Sequence, residues 1–257
     1  MKVAVDLSFI RPDHTNGGTE SCIKNLMAGW IQQGVVENFL FFIHDDIYAE
    51  YKKNFPQCQY KVYKCRGNHK MRTTWFQTVL LPAWVKAFNV DVVYYPTYTT
   101  GYYHNISVPV VVNPHDIQFK FYPEYFSELK KIYLDFGYRH SLKKADRIIA
   151  ISDYVKGTLI KHYGKECGEK IHTIYDPVNF EQRNEERLEL VKEPYILSVS
   201  SIAKHKNMIT LVKAFERIFH EIPHQLVIVG CKGNGMEEIY AYLKERQLDS
   251  RIYFTDY

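Results

Sequence analysis

The chain has 257 residues, which is more than one typical domain and few for two complete α/β domains. Hydrophobic residues make up 46% and charged residues 24% of the chain, as in an ordinary globular protein with ample core material. The net charge of +4, without a dense basic run or a nucleic-acid motif, argues against a nucleic-acid-binding protein. Scattered surface charge is the simplest interpretation. An anionic ligand such as a nucleotide diphosphate, or an anionic membrane surface, is the alternative.

Cysteine use and the hydropathy pattern predict a cytoplasmic protein. The five cysteines form no CxxC pair and no cysteine–histidine spacing typical of zinc sites, so free thiols in a reducing compartment are expected. The sequence enters its first predicted strand without a signal-like leader, and no apolar run approaches the ~20 residues needed to span a bilayer.

Strands and helices alternate along the first two thirds of the sequence. Continuous apolar runs typical of strands in a parallel sheet lie at 3–7, 39–44, 90–95, 108–112, 147–151 and 171–175. Amphipathic helical patterns lie at 19–34, 73–89, 127–145 and 153–163. This alternation predicts an α/β fold with a doubly wound sheet.

A polar, charged segment separates this region from a second one. We predict a Rossmann-like domain at 1–176, a linker at 177–193, and the first part of another Rossmann-like domain at 194–257. Strands are expected at 195–200, 225–229 and 251–255, and helices at 208–220 and 236–247. A three-stranded sheet would leave an apolar edge exposed. This favours a protein that continues past residue 257 over one whose edge another chain covers.

Two glycines, Gly17 and Gly18, lie between the first predicted strand and its helix. Glycine permits positive φ and close approach of a ligand to the backbone, and the N–H groups of the following helix can bind an anion. A tight turn without a ligand explains the pair equally well. The motif is not GxGxxG, so it does not indicate a dinucleotide fingerprint.

Polar residues follow two predicted strands at their carboxyl ends, where doubly wound sheets bind ligands. His115 could orient a substrate hydroxyl or donate to one, and Asp116 could accept from one. The alternative is a helix start with Asp116 as its cap. Ser152 is expected to cap the helix at 153–163 and could also line the cleft.

The basic segment Lys204, His205 and Lys206 is the best phosphate candidate in the second region. Lys206 lies at the opening of a predicted helix, where the helix dipole disfavours a cation unless an anion binds there. Gly230 begins a glycine-rich stretch at 230–235 after another strand. The stretch suits either close approach to a ligand or a plain loop.

The aromatic, basic stretch at 70–88 predicts a helix. Its apolar spacing indicates a face turned to the core, with a helix lying on a membrane as the alternative, and Pro82 would kink or restart it. The adjacent Asp45 and Asp46 follow a strand and are expected in a loop. They do not form the spaced Asp-x-Asp of some metal-dependent sugar transferases, and the sequence contains no GxSxG elbow or HExxH zinc motif.

Taken together, these stretches resemble the GT-B glycosyltransferases of family 4, the retaining "group 1" class. The resemblance is carried by residues 75–82 with 91–96, 115–116 with 123–124, 145–152, and 197–207 with 211–215. It implies two Rossmann-like domains that face a cleft, the second of them incomplete here. The first would bind the acceptor and the second a nucleotide-sugar donor.

The resemblance also implies roles for particular residues. Gly17 and Gly18 would face the donor phosphates, His115 would lie next to the transferred sugar, and Asp116 would orient the acceptor. Lys206 would neutralise the diphosphate leaving group. The family uses no metal or other cofactor and retains the anomeric configuration, with the donor phosphate as the acceptor of the proton.

Two departures from the family pattern stand out. Ser201 occupies a position where many members have arginine, so Lys204, His205 or Lys206 would compensate in binding the phosphates. The paired glutamates that hold the donor ribose and sugar are missing, so activity of this chain by itself is doubtful. A non-catalytic glycan-binding fragment or half of a split enzyme is therefore one alternative.

The expected function is transfer of a hexose to a glycan or a lipid-linked saccharide in polysaccharide biosynthesis. Mannose from a GDP donor is favoured, and no nucleic-acid partner is expected. Peripheral contact with the inner face of the membrane is left open, as is the oligomeric state. An epimerase or a phosphorylase of the same architecture is the remaining alternative.

Overall fold

The computed structural model describes residues 1–14, 16–64, 69–101, 106–178, 194–248 and 250–255. The chain divides into two compact units, Met1–Glu181 and Gln182–Tyr257, called unit 1 and unit 2 below. The predicted linker lies outside the described residues from position 179 to position 193. None of the described helices is both long and apolar enough to cross a bilayer.

A parallel sheet forms the centre of unit 1. Its strands are β1 (Val3–Asp6), β2 (Phe39–His44), β3 (Gln59–Tyr63), β4 (Val92–Tyr95), β5 (Val110–Val112), β6 (Arg147–Ala150) and β7 (Ile171–Thr173). Their order in the sheet is β3-β2-β1-β4-β5-β6-β7. The order reverses beside β1, as in doubly wound sheets, and the predicted fold class is confirmed.

Helices cover both faces of this sheet. They are α1 (Gly18–Gln32), α2 (Asp45–Asn54), α3 (His69–Trp75), α4 (Leu81–Ala87), α5 (Gln118–Phe121), α6 (Glu128–Lys144), α7 (Asp153–Tyr163) and α8 (Lys165–Gly168). Helices α1 and α2 bury Ile23, Met27 and Tyr51 on one face. Helices α4, α6 and α7 bury Leu81 and Leu142, among others, on the opposite face.

Most of the aromatic stretch after residue 69 packs against the core, as its spacing predicted, whereas Trp75 is exposed. A π-helical turn, Phe76–Leu80, joins α3 to α4, and Pro82 lies in the first turn of α4, where its missing N–H leaves no intrahelical bond unmade. Phe76 is buried and stacks on Tyr63 with ring centroids 4.1 Å apart. Pro82 therefore restarts the helix.

The loop prediction at Asp45 and Asp46 is wrong, because both residues begin α2. Their carboxylates suit the positive end of the helix dipole, and Arg72 Nη1 lies 2.6 Å from Asp46 Oδ2. The strand β3 was also not predicted. It lies at the edge of the sheet, and its polar side chains alternate with apolar ones instead of forming an apolar run.

Unit 2 contains a smaller parallel sheet. Its strands are β8 (Tyr195–Val199), β9 (Gln225–Val229) and β10 (Ile252–Thr255), in the order β10-β9-β8. Two helices, α9 (Met208–Ile218) and α10 (Met236–Arg246), pack on the sheet around the buried Phe215 and Ile228. These elements occupy the predicted segments.

Candidate functional site

The start of α1 in unit 1 is open to a ligand. Gly17 has φ 57° and ψ −130°, a conformation that favours glycine, and no side chain caps the helix. A Cβ added at Gly17 or Gly18 would meet no atom within 4 Å. The space beside both glycines is therefore free, and the first N–H groups of α1 lie next to it.

A charged cluster lies directly behind this glycine turn and was not predicted. His14 Nδ1 is 2.6 Å from Glu20 Oε1, and its Nε2 is 2.8 Å from Glu50 Oε2. Lys24 Nζ lies 2.8 Å from Glu20 and 3.2 Å from Glu50. The side chains of His14, Glu20 and Glu50 lie close enough together to hold a metal ion. However, Lys24 and His14 already contact the two carboxylates. The cluster anchors the loop to α1 and α2.

His115 follows β5 and is held between two other strand ends. Its Nε2 lies 3.2 Å from the carbonyl oxygen of Pro96, after β4. Its Nδ1 lies 3.8 Å from Oδ2 of Asp176, after β7. The His115 side chain is 17% exposed, so part of the ring remains accessible. Asp176 is a site residue that the sequence analysis missed, although its position directly after a predicted strand was a signal.

Asp176 also connects His115 to α1. Its Oδ1 accepts a hydrogen bond from Cys22 Sγ at 3.1 Å, one turn after the Gly17–Gly18 pair. Burial, together with the hydrogen bond and the charge of Asp176, raises the pKa of the Cys22 thiol to about 12. The structure therefore brings the glycine turn and His115 to the same edge of the sheet.

The two other polar residues predicted in unit 1 form local hydrogen bonds. The Asp116 carboxylate accepts from the N–H of Gln118 at 3.1 Å, just before α5, whose capping position is Ile117. Asp116 thus stabilises the start of α5 from the residue before the capping position. Ser152 Oγ accepts from the N–H of Val155 at 3.2 Å, which confirms it as the cap of α7.

A cavity of about 370 Å³ opens at the carboxyl ends of β1 and β4 in unit 1. Helix α3 with its π-helical turn forms one wall, and α6 forms the other. Among the described residues the cavity lining contains no aspartate or glutamate, and its basic members are Arg11, His69, Lys70, Lys130 and His140. Hydroxyl groups of Thr73, Thr97 and Thr99 also line it. Such a lining suits a hydroxyl-rich ligand with a negatively charged group.

The floor of this cavity is ordered by a buried carboxylate. Gln77 Nε2, from the cavity lining, donates to Asp6 Oδ2 at 2.6 Å, and the N–H of Ser8 donates to Asp6 Oδ1 at 2.8 Å. Burial raises the pKa of Asp6, and these hydrogen bonds partly offset the rise. The Gln77 amide is thereby fixed in one orientation.

In unit 2 the basic segment forms a turn directly before α9. Lys204–Lys206 is a 3₁₀ turn, and Asn207 follows in the left-handed conformation at φ 53°. No side chain caps α9, and its first turn contains no acidic residue. The helix start is therefore basic and uncapped, as expected for an anion site, and Lys206 lies two residues before the first residue of α9.

The glycines after β9 have a packing role. A Cβ at Gly230, where φ is 151°, would lie 2.2 Å from the carbonyl oxygen of Ser200, next to Ser201. A Cβ at Gly233 would lie 2.8 Å from the carbonyl oxygen of Ile202. Contact between two loops of the protein accounts for the lack of a side chain at both positions, an interpretation that the sequence analysis did not include. Gly230, Ser201 and the basic turn lie at the same edge of the smaller sheet.

Comparison with known proteins assigns the family. The sequence model described as Glycosyltransferase Family 4 matches residues 16–182, which include the glycine turn, His115 and Asp176. The chain belongs to glycosyltransferase family 4. A stretch of 122 residues is 30% identical to the O-antigen chain mannosyltransferase RfbU of Salmonella typhimurium. That stretch covers 46% of this chain and 32% of the relative, so the match spans about a third of that protein.

Several solved structures share the fold of this chain. Anabaena Alr3699/HepE in complex with UDP and glucose superposes with a TM-score of 0.67 at 18% identity, over 100% of this chain and 69% of that one. A glycosyltransferase from Rickettsia africae ESF-5 gives 0.62 at 17% identity over 99% and 68%. The lipopolysaccharide outer core galactosyltransferase WaaB gives 0.58 at 17% identity over 100% and 68%. At such identities the likeness concerns the fold, which is of the GT-B type.

Proposed function

We propose that this protein is a retaining glycosyltransferase that moves a hexose from a nucleotide-diphosphate sugar to a saccharide acceptor. The observation that carries the proposal is the family match over the edge of unit 1 that holds the open glycine turn and His115. The similar HepE structures hold UDP with glucose, or UDP-glucose, which supports a nucleotide-sugar donor. The RfbU match supports mannose as the sugar and a role in polysaccharide synthesis.

The geometry of unit 2 suggests how the leaving group is stabilised. Negative charge develops on the diphosphate as the bond to the sugar breaks. Lys206 and the uncapped N–H groups of α9 offer positive charge to that diphosphate, and Lys204 and His205 lie in the same turn. The hydroxyl of Ser201 can donate a hydrogen bond to the diphosphate. We propose that these groups act without a metal ion.

Unit 1 contributes groups for the sugar and the acceptor. The N–H groups at Gly17 and Gly18 would contact the donor, and His115 would bond a hydroxyl of the transferred sugar. In this scheme Asp176 keeps the imidazole in place. The basic cavity between α3 and α6 would hold the acceptor, a glycan or a lipid-linked saccharide.

Nucleotide titration of the chain tests the donor site. We expect one of UDP, GDP and ADP to raise the melting temperature, and Lys206→Ala to weaken that nucleotide about tenfold through loss of a charge-assisted hydrogen bond. Arg217→Ala is the matched control, because Arg217 is exposed at the other end of α9. Equal affinity in Lys206→Ala and Arg217→Ala would remove Lys206 from the site.

Sugar transfer itself is tested with the labelled nucleotide sugar that the titration selects. We expect His115→Ala to lower kcat more than donor affinity, because its ring would act on the transferred sugar. Binding of the donor with no transfer to any saccharide would favour a glycan-binding fragment or half of a split enzyme. Release of sugar phosphate, or isomerisation of the donor without an acceptor, would favour the phosphorylase or the epimerase.

A further inference from the structure

The side-chain amide of Gln77 is engaged at its nitrogen and open at its oxygen. Nε2 lies 2.6 Å from Asp6 Oδ2 and 3.4 Å from the carbonyl oxygen of Thr99, so both of its protons have acceptors. A carboxylate and a carbonyl accept hydrogen bonds, and the amide nitrogen therefore faces them. Among the described residues no hydrogen bond uses Gln77 Oε1. Because Gln77 lines the cavity between α3 and α6, Oε1 is the atom left for a ligand.

Tight packing holds Gln77 in place before any ligand binds. The residue lies in the π-helical turn Phe76–Leu80, and such turns occur frequently at functional sites. Gly101 packs directly on this turn, since a Cβ at Gly101 would lie 2.3 Å from the Gln77 carbonyl oxygen. One turn earlier, Thr73 Oγ1 donates to the carbonyl oxygen of Ser8 at 2.8 Å. The cavity wall that carries Gln77 is thus attached to the loop after β1.

Asp6 determines which end of the Gln77 amide faces the cavity. Asp6 is 1% exposed, and its Oδ1 accepts from the N–H of Ser8 at 2.8 Å. The Ser8 N–H thus fixes the carboxylate, and the carboxylate fixes the amide. An asparagine at position 6 would keep its oxygen on Ser8 and turn its NH₂ group toward Gln77. The Gln77 amide would then rotate and direct Nε2 into the cavity.

The other polar side chains of the cavity are mainly hydrogen-bond donors. Arginine and lysine side chains only donate, and among the described residues no aspartate or glutamate lines the cavity. The hydroxyl groups of Thr97 and Thr99 lie 2.7 Å apart and bond each other. A ligand hydroxyl can therefore accept from the basic side chains while it donates its own proton to Gln77 Oε1.

We propose that Gln77 selects the acceptor saccharide by accepting a hydrogen bond from one of its hydroxyl groups, and that Asp6 is the positioning residue for Gln77. The inference rests on the proposed function, because it takes the cavity between α3 and α6 as the acceptor site. A saccharide without that hydroxyl leaves the buried amide oxygen unpaired. Sites built around a substrate hydroxyl reject such analogues strongly for this reason.

Ligand-observed NMR with simple hexosides tests the selection. The probes are the methyl α-glycosides of mannose, glucose and galactose and their monodeoxyfluoro derivatives, in which fluorine replaces one hydroxyl and cannot donate. We expect the unaltered chain to bind a parent hexoside about tenfold more tightly than one of its fluorinated derivatives. Asp6→Asn should abolish this preference, since the rotated Gln77 amide donates and no longer needs a proton from the ligand.

A second substitution should restore the preference. Asp6→Asn/Gln77→Glu keeps the net charge, and the carboxylate at position 77 accepts from the new amide while its other oxygen faces the cavity. The matched control is Asp91→Asn, which makes the same change at an exposed carboxylate before β4 that accepts from the N–H of Lys2. Asp91→Asn should leave the preference for the parent hexoside unchanged.

Hydrogen exchange of the Gln77 side-chain amide tests the positioning without a ligand. In the unaltered chain the Nε2 protons of Gln77 should exchange at least about tenfold more slowly than those of Gln33, which is exposed at the end of α1. Asp6→Asn should bring the two rates closer together, because the Gln77 NH₂ group then faces the cavity.

Each outcome of these measurements bears on the proposal. Equal exchange at Gln77 and Gln33 would overturn it, as would a preference that survives in Asp6→Asn or failure of every hexoside to bind. If Asp6→Asn does not fold, the double variant and the two measurements on the unaltered chain decide. Nucleotide titration is run in parallel. A nucleotide that binds while no hexoside does leaves the donor site standing and refutes this inference, and hexoside selection without nucleotide binding does the reverse.

Discussion

The first strands of the two units differ sharply in burial, although each begins with the same local pattern of strand, loop and helix. All four residues of β1 are buried, whereas Tyr195, Leu197 and Val199 of β8 are about half exposed. Strand β1 lies between β2 and β4 in the larger sheet, and β8 lies at the edge of the three-stranded sheet. The comparison teaches that the number of neighbours in the fold, and not the apolar run itself, determines how much of a strand is buried.

For the glycine loops the relation is reversed: the loop of unit 1 is open and that of unit 2 is tightly packed. Gly17 and Gly18 in unit 1 face open space, while Gly230 in unit 2 lies against the backbone of Ser200. A glycine beside open space can admit a ligand, and a glycine against another loop serves packing. The basic turn Lys204–Lys206 remains the candidate anion site of unit 2, and packing accounts for Gly230.

The largest expected effect compares a buried core residue of unit 1 with an exposed residue of β8 in unit 2. Leu81→Ala removes a fully buried side chain in unit 1 and should cost about 2–5 kcal/mol in the free energy of unfolding. Leu197→Ala, the same substitution at a residue that is 53% exposed, should cost less than about 1 kcal/mol. Denaturant unfolding of both variants measures the difference. Equal costs would mean that the outer side of β8 is covered in solution, and the comparison of the two strands would fail.

An intermediate effect concerns the two glycine loops. Gly230→Ala should lower the free energy of unfolding of unit 2 by at least about 2 kcal/mol, because the new Cβ would meet the Ser200 carbonyl and φ is positive. Gly18→Ala should change it by less than about 1 kcal/mol, since the position is helical and open. Thermal unfolding provides the measurement. A stable Gly230→Ala variant would show that the 230–235 loop can move away from Ser200.

The smallest effect is chemical and compares two thiols. Cys231 in unit 2 is exposed, and Cys22 in unit 1 is buried with its pKa raised to about 12. The thiolate is the reactive form, so below this pKa the alkylation rate of Cys22 should rise about tenfold per pH unit and stay far below that of Cys231 at pH 8. Asp176→Asn should lower the Cys22 pKa and speed its alkylation, with Asp153→Asn as the control. Peptide mass spectrometry after iodoacetamide treatment measures both rates, and fast labelling of Cys22 in the unaltered chain would contradict its burial beside Asp176.

Much of the fold could be predicted because its signals are local. The strands β2 and β9 and the helix α7 have the predicted bounds, since each combines a continuous apolar run or an amphipathic period with a clear start. Ser152 could be assigned as a cap from its place before α7 alone. The strand β3 could not be predicted, because a polar edge strand lacks the apolar run on which the other assignments depended. The helix α2 was also not predicted.

The amino-acid sequence by itself determined most of the strands and helices, the doubly wound class and the family of this protein. Each depends on residue patterns within short segments. Only the tertiary structure decided that Asp176 approaches His115 and Cys22, that Gly230 packs on Ser200, and that Leu129 and Ile132 of α6 face outward. The physical reason is the same in all three cases. A periodic pattern shows that a residue has an apolar or a polar environment, but the partner that supplies it comes from a distant part of the chain and is brought there by the packing of the sheet.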